Sequence, residues 1–356
     1  MVKIVVLLAA TLLSCVRVAE GRAERDAEVG HASIAELTVD VDQGHAAVRA
    51  LEPSRVHLWG NAPALRVRLT ASGPGEVELF VENTLADVHA VARGEALVDS
   101  GVGTKHTFRV PFAAAGEVVV DIAAPDGDMA APFRYAMYAD VQEAIDRVQD
   151  IYARMNREEG IRFALMAGDQ TQTGTPNQLE RFQRELATLR FPVFGTLGNH
   201  ELGDSAVPYH AYFGRGSSSF GFKGARFTLL DSASATLDPI VYDWLDGWLD
   251  QGRDRVHVVA MHIPPIDPIG VRSGSFASRN EANKLLSRLA RGRVDLTLYG
   301  HVHSYYEFDN AGIPAFIAGG GGAIPERFDA IGRHFLVVDV EPTRQTQNVT
   351  LVRVDE

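Results

Sequence analysis

The hydrophobic pattern changes period near residue 130, and that change divides the chain into two kinds of structure. From about Ser33 to Ala124 apolar and polar residues alternate, as in Leu37/Val39/Val41, Leu65/Val67/Leu69, Val77/Leu79/Val81, Phe108/Val110/Phe112 and Val118/Val120/Ile122. Successive side chains of a strand point to opposite faces, so a period of two marks half-buried strands rather than helices. Turn-rich pieces such as Ser72-Gly73-Pro74-Gly75 and Ser100-Gly101-Val102-Gly103 separate the runs. The spacing predicts a sandwich of two antiparallel sheets over residues 33–130. Its histidines, His31, His45, His57, His89 and His106, are scattered without ligand spacing, and they read as solvated or hydrogen-bonded side chains. Pro125-Asp126-Gly127-Asp128 and Ala130-Ala131-Pro132 read as the linker.

After Phe133 strands alternate with helices. An apolar strand over Arg134 to Ala139 precedes a helix whose inward face is Ile145/Val148/Ile151/Tyr152/Met155, and a strand follows at Arg162 to Ala167. That is βαβ organisation. It continues with a helix opened by Thr175-Pro176, a strand over Pro192 to Leu197, a hairpin across Lys223-Gly224, a helix near Asp238 to Asp250, and strands at Val256 to Met261 and Val294 to Tyr299. Polar residues able to bind metal stand at the carboxyl ends of these strands: Asp140, Asp169, Asn199-His200, His262, and His301 with His303. In open α/β structures sites are built along that edge. His257 and His334, by contrast, read as structural.

Composition narrows the chemistry. The chain has 34 Lys+Arg against 46 Asp+Glu among 356 residues, a net charge of −12. No Lys/Arg run exists to displace counterions, so non-specific binding to a nucleic-acid backbone is not expected. The single cysteine, Cys15, excludes an intramolecular disulfide and a thiolate metal site in the body of the chain. Oxygen and imidazole must do the chemistry.

Gly168-Asp169, Gly198-Asn199-His200-Glu201, the His262 that ends Val258-Val259-Ala260-Met261-His262, and Gly300-His301-Val302-His303 occur in an order and spacing that resembles the calcineurin-like metallophosphoesterase superfamily. Tyr212-Phe213-Gly214, Ser219-Phe220-Gly221, Leu230-Asp231-Ser232 and the run from Gly319 to Ala323 resemble its purple-acid-phosphatase-like branch, which commonly carries a β-sandwich before the catalytic domain. The implied fold is an all-β immunoglobulin-like or fibronectin-like sandwich followed by an α/β metallophosphoesterase domain, mixed sheets flanked by helices, over residues 131–356. Two cations roughly 4 Å apart neutralise a phosphate ester, generate hydroxide at neutral pH and orient its attack. By the resemblance Asp169 bridges them. Asp140 and His303 bind the first, Asn199, His262 and His301 the second, and His200 protonates the leaving oxygen or binds the charged transition state. Mixed oxygen and nitrogen donors suit Mn, Fe or Zn. The implied enzyme hydrolyses a phosphomonoester or phosphodiester, its substrate a small molecule, a lipid or a nucleotide. Gly300 and Gly319 to Gly322 read either as turns or as backbone allowing close approach to the metals.

Two positions depart from the family pattern. Its first motif is usually Asp-x-His, and here it is Asp140-Val141-Gln142, so Gln142 reads as a weaker amide ligand to the first metal or as a residue supporting the ligands. Purple acid phosphatases carry a tyrosinate three residues after the bridging Asp, where this chain has Gln172, so the protein should be colourless. Gln142 also motivates a different expectation, a catalytically weak surface binding protein. A hydrolase of lipid-linked phosphates is a further alternative, suggested by the amino terminus alone.

There, Lys3 and a weakly polar run from Ile4 to Leu13 read as a secretion signal, too short for a membrane span. Leu12-Leu13-Ser14-Cys15 resembles the bacterial lipobox, which implies a signal peptide over residues 1–14, a lipid on Cys15 and a polar tether over residues 15–32. Val16 stands where such lipoproteins carry an inner-membrane retention Asp, favouring the outer membrane within the periplasm or cell envelope. The alternative is ordinary cleavage in Gly21-Arg22-Ala23.

Overall fold

The computed structural model describes residues 20–270, 274–326 and 330–354. The signal segment and Cys15 lie outside the described residues. Within residues 31–123 the alternating runs form two sheets. One has the order His31–Ser33, Leu37–Gln43, Leu65–Ala71, Gly116–Ala123, His89–Ala92, Glu95–Ala96, antiparallel throughout. The other runs Ala46–Glu52, Arg55–Gly60, Gly75–Glu82, Lys105–Phe112. Their apolar positions meet in one core that includes Val39, Val67, Leu69, Leu58, Leu79, Val81 and Phe108. The expectation of two antiparallel sheets needs one correction, because Arg55–Gly60 and Gly75–Glu82 pair in parallel. Between them the chain visits the other sheet as Leu65–Ala71 and returns in its original direction, and a crossover of that kind gives parallel pairing where a hairpin cannot.

After the linker the chain builds two mixed sheets face to face. The first has the order Val193–Thr196, Ile161–Ala167, Phe133–Tyr138, His334–Glu341, Thr346–Arg353, with the first three strands parallel. The second has the order Ser218–Phe222, Ala225–Leu230, Val256–Met261, Leu296–Tyr299, Ile313–Ala318, Tyr305–Asn310, with its four central strands parallel. Parallel strands must be covered on both faces. Phe133, Tyr135 and Met137 point into the space between the sheets, whereas Ala136 and Tyr138 point outward under Ile151, Tyr152 and Met155. Aromatic rings fill the inner layer, with Tyr135 and Phe163 each 5.2 Å from Phe227 in edge contact. Helices Pro239–Gly252 and Arg279–Arg291 cover the outer face of the second sheet through Val241, Leu245, Leu285 and Leu289. His257 is a core residue, its Nε2 2.9 Å from Thr228 Oγ1, and His334 is likewise buried in a strand.

The two regions are joined by polar groups without slack. Asn61 turns its amide onto the edge strand Val193–Thr196, accepting from Gly195 N (2.8 Å) and donating to Gly195 O (3.1 Å). Asn83 treats Val193 the same way, at 2.9 and 2.7 Å. Each amide supplies the donor and acceptor that a further strand would, closing an open edge. In the linker, Asp126 accepts from Lys223 Nζ (2.6 Å) and Arg162 Nη1 (2.9 Å).

Part of the expected tether is also built into the fold. Glu20–Glu28 is a helix, and Arg22 and Asp26, four residues apart on one face, are buried. Arg22 donates from Nε (2.6 Å) and Nη2 (3.1 Å) to the Asp231 carboxylate. Asp26 accepts from Gly216 N (2.7 Å) and Ser217 N (2.8 Å) and meets His210 Nε2 at 3.0 Å. A segment so rich in charge reads as solvated because its inward face is held by ion pairs instead of apolar side chains.

Candidate metal centre

Four strands of the two sheets end side by side, and their next residues form one cluster. Phe133–Tyr138 leads to Asp140, Ile161–Ala167 to Asp169, Val256–Met261 to His262, and Leu296–Tyr299 to His301 and His303. Asn199 and His200 follow Val193–Thr196 on the same edge. The loops brace one another, with Val141 N donating to Asp169 O (2.9 Å) and Ala323 N to Asp140 O (2.9 Å).

The turns are strained in order to aim the side chains. Asp140, Gln142, Asp169 and His301 have φ of 66°, 48°, 56° and 71°. For residues with a Cβ that region costs about 1–2 kcal/mol each, and such strain concentrates where a site requires it. Close approach is needed as well. A Cβ on Gly300 would lie 2.8 Å from Asp140 Oδ2, and one on Gly319 would lie 2.9 Å from the same atom. For these two glycines close approach applies, the Ala139 side chain lying nearest to Gly300, the Val302 carbonyl nearest to Gly319, and the Asp140 carboxylate against both.

Asp140, Asp169 and His262 are buried and each offers a ligand atom within 4.8 Å of the others. His262 Nε2 lies 3.3 Å from Asp169 Oδ2 and 3.0 Å from Asn199 Oδ1. Its Nδ1 donates to the Ala167 carbonyl (2.9 Å), which turns Nε2 toward the carboxylates. Burial opposes a charge on His262, but Asp169 and Asp140 outweigh it and raise its pKa to about 9. Asp169 is also opposed by burial, yet His262 and His200 hold its carboxyl well below the usual range. His301 packs edge-on against His262 at 5.1 Å, and burial together with the His262 charge lowers its pKa to about 4, leaving a neutral imidazole. His303 donates from Nδ1 to Ile324 O (2.7 Å), and its Nε2 is 3.5 Å from Asp140 Oδ1.

The donor set fits a bound cation on an observation independent of spacing. Asp140 Oδ1 is buried and accepts no hydrogen bond. A carboxylate oxygen left in that state is costly unless a cation meets it. Gln142, buried, donates from Nε2 to Asp169 Oδ2 (2.8 Å) and stands 3.1 Å from His303 Nε2. It is therefore inside the cluster, with its amide nitrogen toward the ligands. His200 is a partly accessible member, its side chain 27% exposed. Its Nδ1 donates to Gln172 O (2.8 Å), and its Nε2 lies 3.9 Å from Asp169 Oδ2. All eight residues expected from the sequence thus converge on one edge.

Glu201 is the residue whose role sequence reasoning missed, although it stands in the Gly198 to Glu201 motif. Fully buried, it accepts from Asp169 N and Gly198 N (both 2.9 Å) and from Thr171 N and Oγ1 (2.9 and 3.0 Å). Burial and the Asp169 charge raise its pKa, while these donors act the other way. It ties the loop of Asp169 to the loop of Asn199 and His200. An acid directly after two site residues was the available signal, but an acid beside a site is also ordinary turn chemistry.

Residues 133–305 match the family model for calcineurin-like phosphoesterases. A 3′,5′-cyclic-nucleotide phosphodiesterase of Nostoc sp. is 26% identical in an alignment of 178 positions that covers 46% of this chain and 65% of that protein, just under two thirds of its length. Among solved structures, the purple acid phosphatase PPD1 from seeds of yellow lupin (Lupinus luteus) is similar with a TM-score of 0.57 at 12% identity, over 83% of this chain and 70% of that one. PhoD is similar with a TM-score of 0.50 at 12% identity, over 82% and 87%. At these identities the structural likeness is one of fold.

Proposed function

We propose that the chain, whose residues 133–305 match the calcineurin-like phosphoesterase family model, is a hydrolase of phosphoester bonds, an exported, metal-dependent enzyme acting on a phosphodiester or phosphomonoester. The observation that carries the metal dependence is the buried Asp140, Asp169 and His262 group with the unsatisfied Asp140 Oδ1. The cyclic-nucleotide phosphodiesterase among its relatives makes a phosphodiester the first substrate to test.

In this reading Asp140 and His303 would hold one ion, with Gln142 as an amide ligand or a support for the ligands, Asn199, His262 and His301 would hold the other, and Asp169 would serve both. Two such ions, Mn, Fe or Zn, supply charge neutralisation and a nucleophile at neutral pH. The protein orients and protonates. The Ala167 and Ile324 carbonyls fix the tautomers of His262 and His303, leaving Nε2 of each toward the cluster. His200, anchored through Nδ1 to Gln172 O, presents the exposed side of its ring to the leaving oxygen and gives it a proton. A placed acid is worth about 10²- to 10⁴-fold, and His200→Ala is expected to lose rate in that range. With Gln172 in the tyrosinate position, no visible charge-transfer band is expected.

Turnover of a chromogenic bis-aryl phosphodiester and a monoester with added Mn, beside Asp169→Ala, tests the proposal. Activity that requires metal and vanishes in the variant is expected. A protein inert toward both esters with metal bound would instead favour the weak, surface-binding alternative.

For the rest of the chain, the reading places an immunoglobulin-like or fibronectin-like domain over residues 33–130 and the catalytic domain after it. It is supported by the fold likeness to the lupin enzyme, which extends over more of the chain than the residues after 130 provide. Limited proteolysis cutting first in the exposed stretch from Asp128 to Ala130 would agree with that boundary. Export with a lipid on Cys15 draws support from the helix Glu20–Glu28. Cleavage within Gly21-Arg22-Ala23 would strip that helix and threaten the Arg22 to Asp231 pair, whereas processing at Cys15 keeps both. Cys15→Ser should release the protein from membranes. An unchanged membrane fraction would end the lipoprotein reading.

A further inference from the structure

Between the N-terminal sheets and the strands Ser218–Phe222 and Ala225–Leu230 lies a cavity of about 650 Å³, away from the metal edge, whose lining includes His45, Arg66, Asp121, Arg215 and Arg226. Its charges do not balance. Arg66 and Asp121 neutralise each other through two hydrogen bonds of 2.6 and 3.1 Å. Asp42, also on the lining, is taken by Arg68 at 2.9 and 2.5 Å. Asp128 stands exposed at the margin. Arg215 and Arg226 form no ion pair among the described residues. Arg226 donates to the Gln251 side-chain oxygen, but its Nε is buried without an acceptor. Burial and the neighbouring Arg255 lower its pKa to about 10. Burial likewise lowers that of Arg215, opposed only by the more distant charge of Asp26. His45 sits beside both. Its Nε2 meets Ser219 O at 3.2 Å, and its Nδ1 is buried without a partner.

Half-buried guanidinium groups without a counter-ion are costly, and a planar fork of donors matches an oxyanion better than any other ligand. The volume lies in the range of small-molecule pockets, about 300–1,000 Å³, and is far more than one oxyanion fills. We propose that this cavity is a second binding site, separate from the metal centre, that takes the phosphate group of a small molecule on Arg215 and Arg226. Free phosphate and a phosphate monoester share the recognised chemistry.

The test uses the full chain stripped of metal, so that the metal centre does not compete as a phosphate site. Calorimetric titration with inorganic phosphate, with AMP and with adenosine is expected to show saturable binding of the first two and none of the third. Equal affinities identify free phosphate as sufficient, and tighter binding of AMP identifies the ester. Arg215→Gln and Arg226→Gln should each weaken binding about tenfold or more. Arg109→Gln, on an exposed strand position, should leave it unchanged. The His45 ring signals should shift on phosphate addition to the unaltered protein, a reading that needs no variant to fold. Absence of saturable binding, unmoved His45 signals, or full affinity in the double arginine variant would overturn the proposal.

Discussion

The metal edge and the seam between the two regions both bury charged and amide side chains, yet they handle them in opposite ways. Along the seam outside the arginine-lined cavity, Arg22 meets Asp231, Asp26 meets two backbone amides and His210 Nε2, and Asn61 and Asn83 pair with both groups of an edge residue. At the metal edge, Asp140 Oδ1 has no donor, and two carboxylates share a buried space with three imidazoles. A buried carboxylate oxygen without a donor, beside a second carboxylate and imidazoles, is the arrangement a cation would satisfy.

The largest expected effect tests this division directly. Asp169→Asn keeps an oxygen to accept the His200 amide but loses the charge shared between the ions. Turnover should fall to background, while the stability of the metal-free protein should change much less than in a seam variant. Phosphodiester turnover beside urea unfolding of the metal-stripped protein measures both. A loss of stability equal to that at the seam would break the comparison.

Next in size is Arg22→Ala. Removing one member of a buried pair strands the other, and Asp231 would then be left with backbone partners only, at a cost of about 3–5 kcal/mol. Activity per folded molecule should remain. The double variant Arg22→Met with Asp231→Leu should recover much of the loss in urea unfolding, because the penalty comes from the uncompensated charge. Asn61→Ala should cost less, about 1–3 kcal/mol, by unpairing the buried Gly195 amide and carbonyl. Faster hydrogen exchange at Gly195, with the core strands unchanged, would locate the effect at that edge.

The same division explains what could be read from the sequence. Apolar periodicity identified the alternating strands and the βαβ region, and most of the proposed site residues were visible because they follow strands, as His262 does after Val256–Met261, whereas Gln142 stood out only by its departure from the family pattern. Partnerships across the chain were not visible. Arg22 and Asp231 are 209 residues apart, and nothing local to either names the other. The helix Glu20–Glu28 escaped because its buried face is ionic. The helix Arg279–Arg291 also went unread, although Ser278 followed by Glu281 was a usable start signal and Ser278 Oγ does accept from Glu281 N. The parallel pairing of Arg55–Gly60 with Gly75–Glu82 depends on the route of the chain, which alternation does not encode.

The smallest expected effect is also the finest probe of the metal edge, because Gln142 is the one member of the cluster that departs from the family pattern. Its amide donates to Asp169 Oδ2 and faces His303 Nε2, and a half turn of the same amide presents its oxygen to those neighbours. Either way it touches the Asp169 carboxylate and His303, two proposed metal ligands, so it should affect affinity for metal more than turnover once metal is bound. Gln142→Ala is expected to raise the free Mn needed for half-maximal rate by about tenfold, the lower range for residues that support metal ligands. Saturated turnover should be largely kept. Gln142→His should move the requirement the other way, since imidazole binds first-row divalent ions more tightly than an amide oxygen does. Rate against free Mn, with bound metal counted by elemental analysis, separates these shifts. If Gln142→Ala titrates like the unaltered protein, the amide serves packing alone, and this buried side chain belongs with the satisfied groups of the seam rather than with the metal edge.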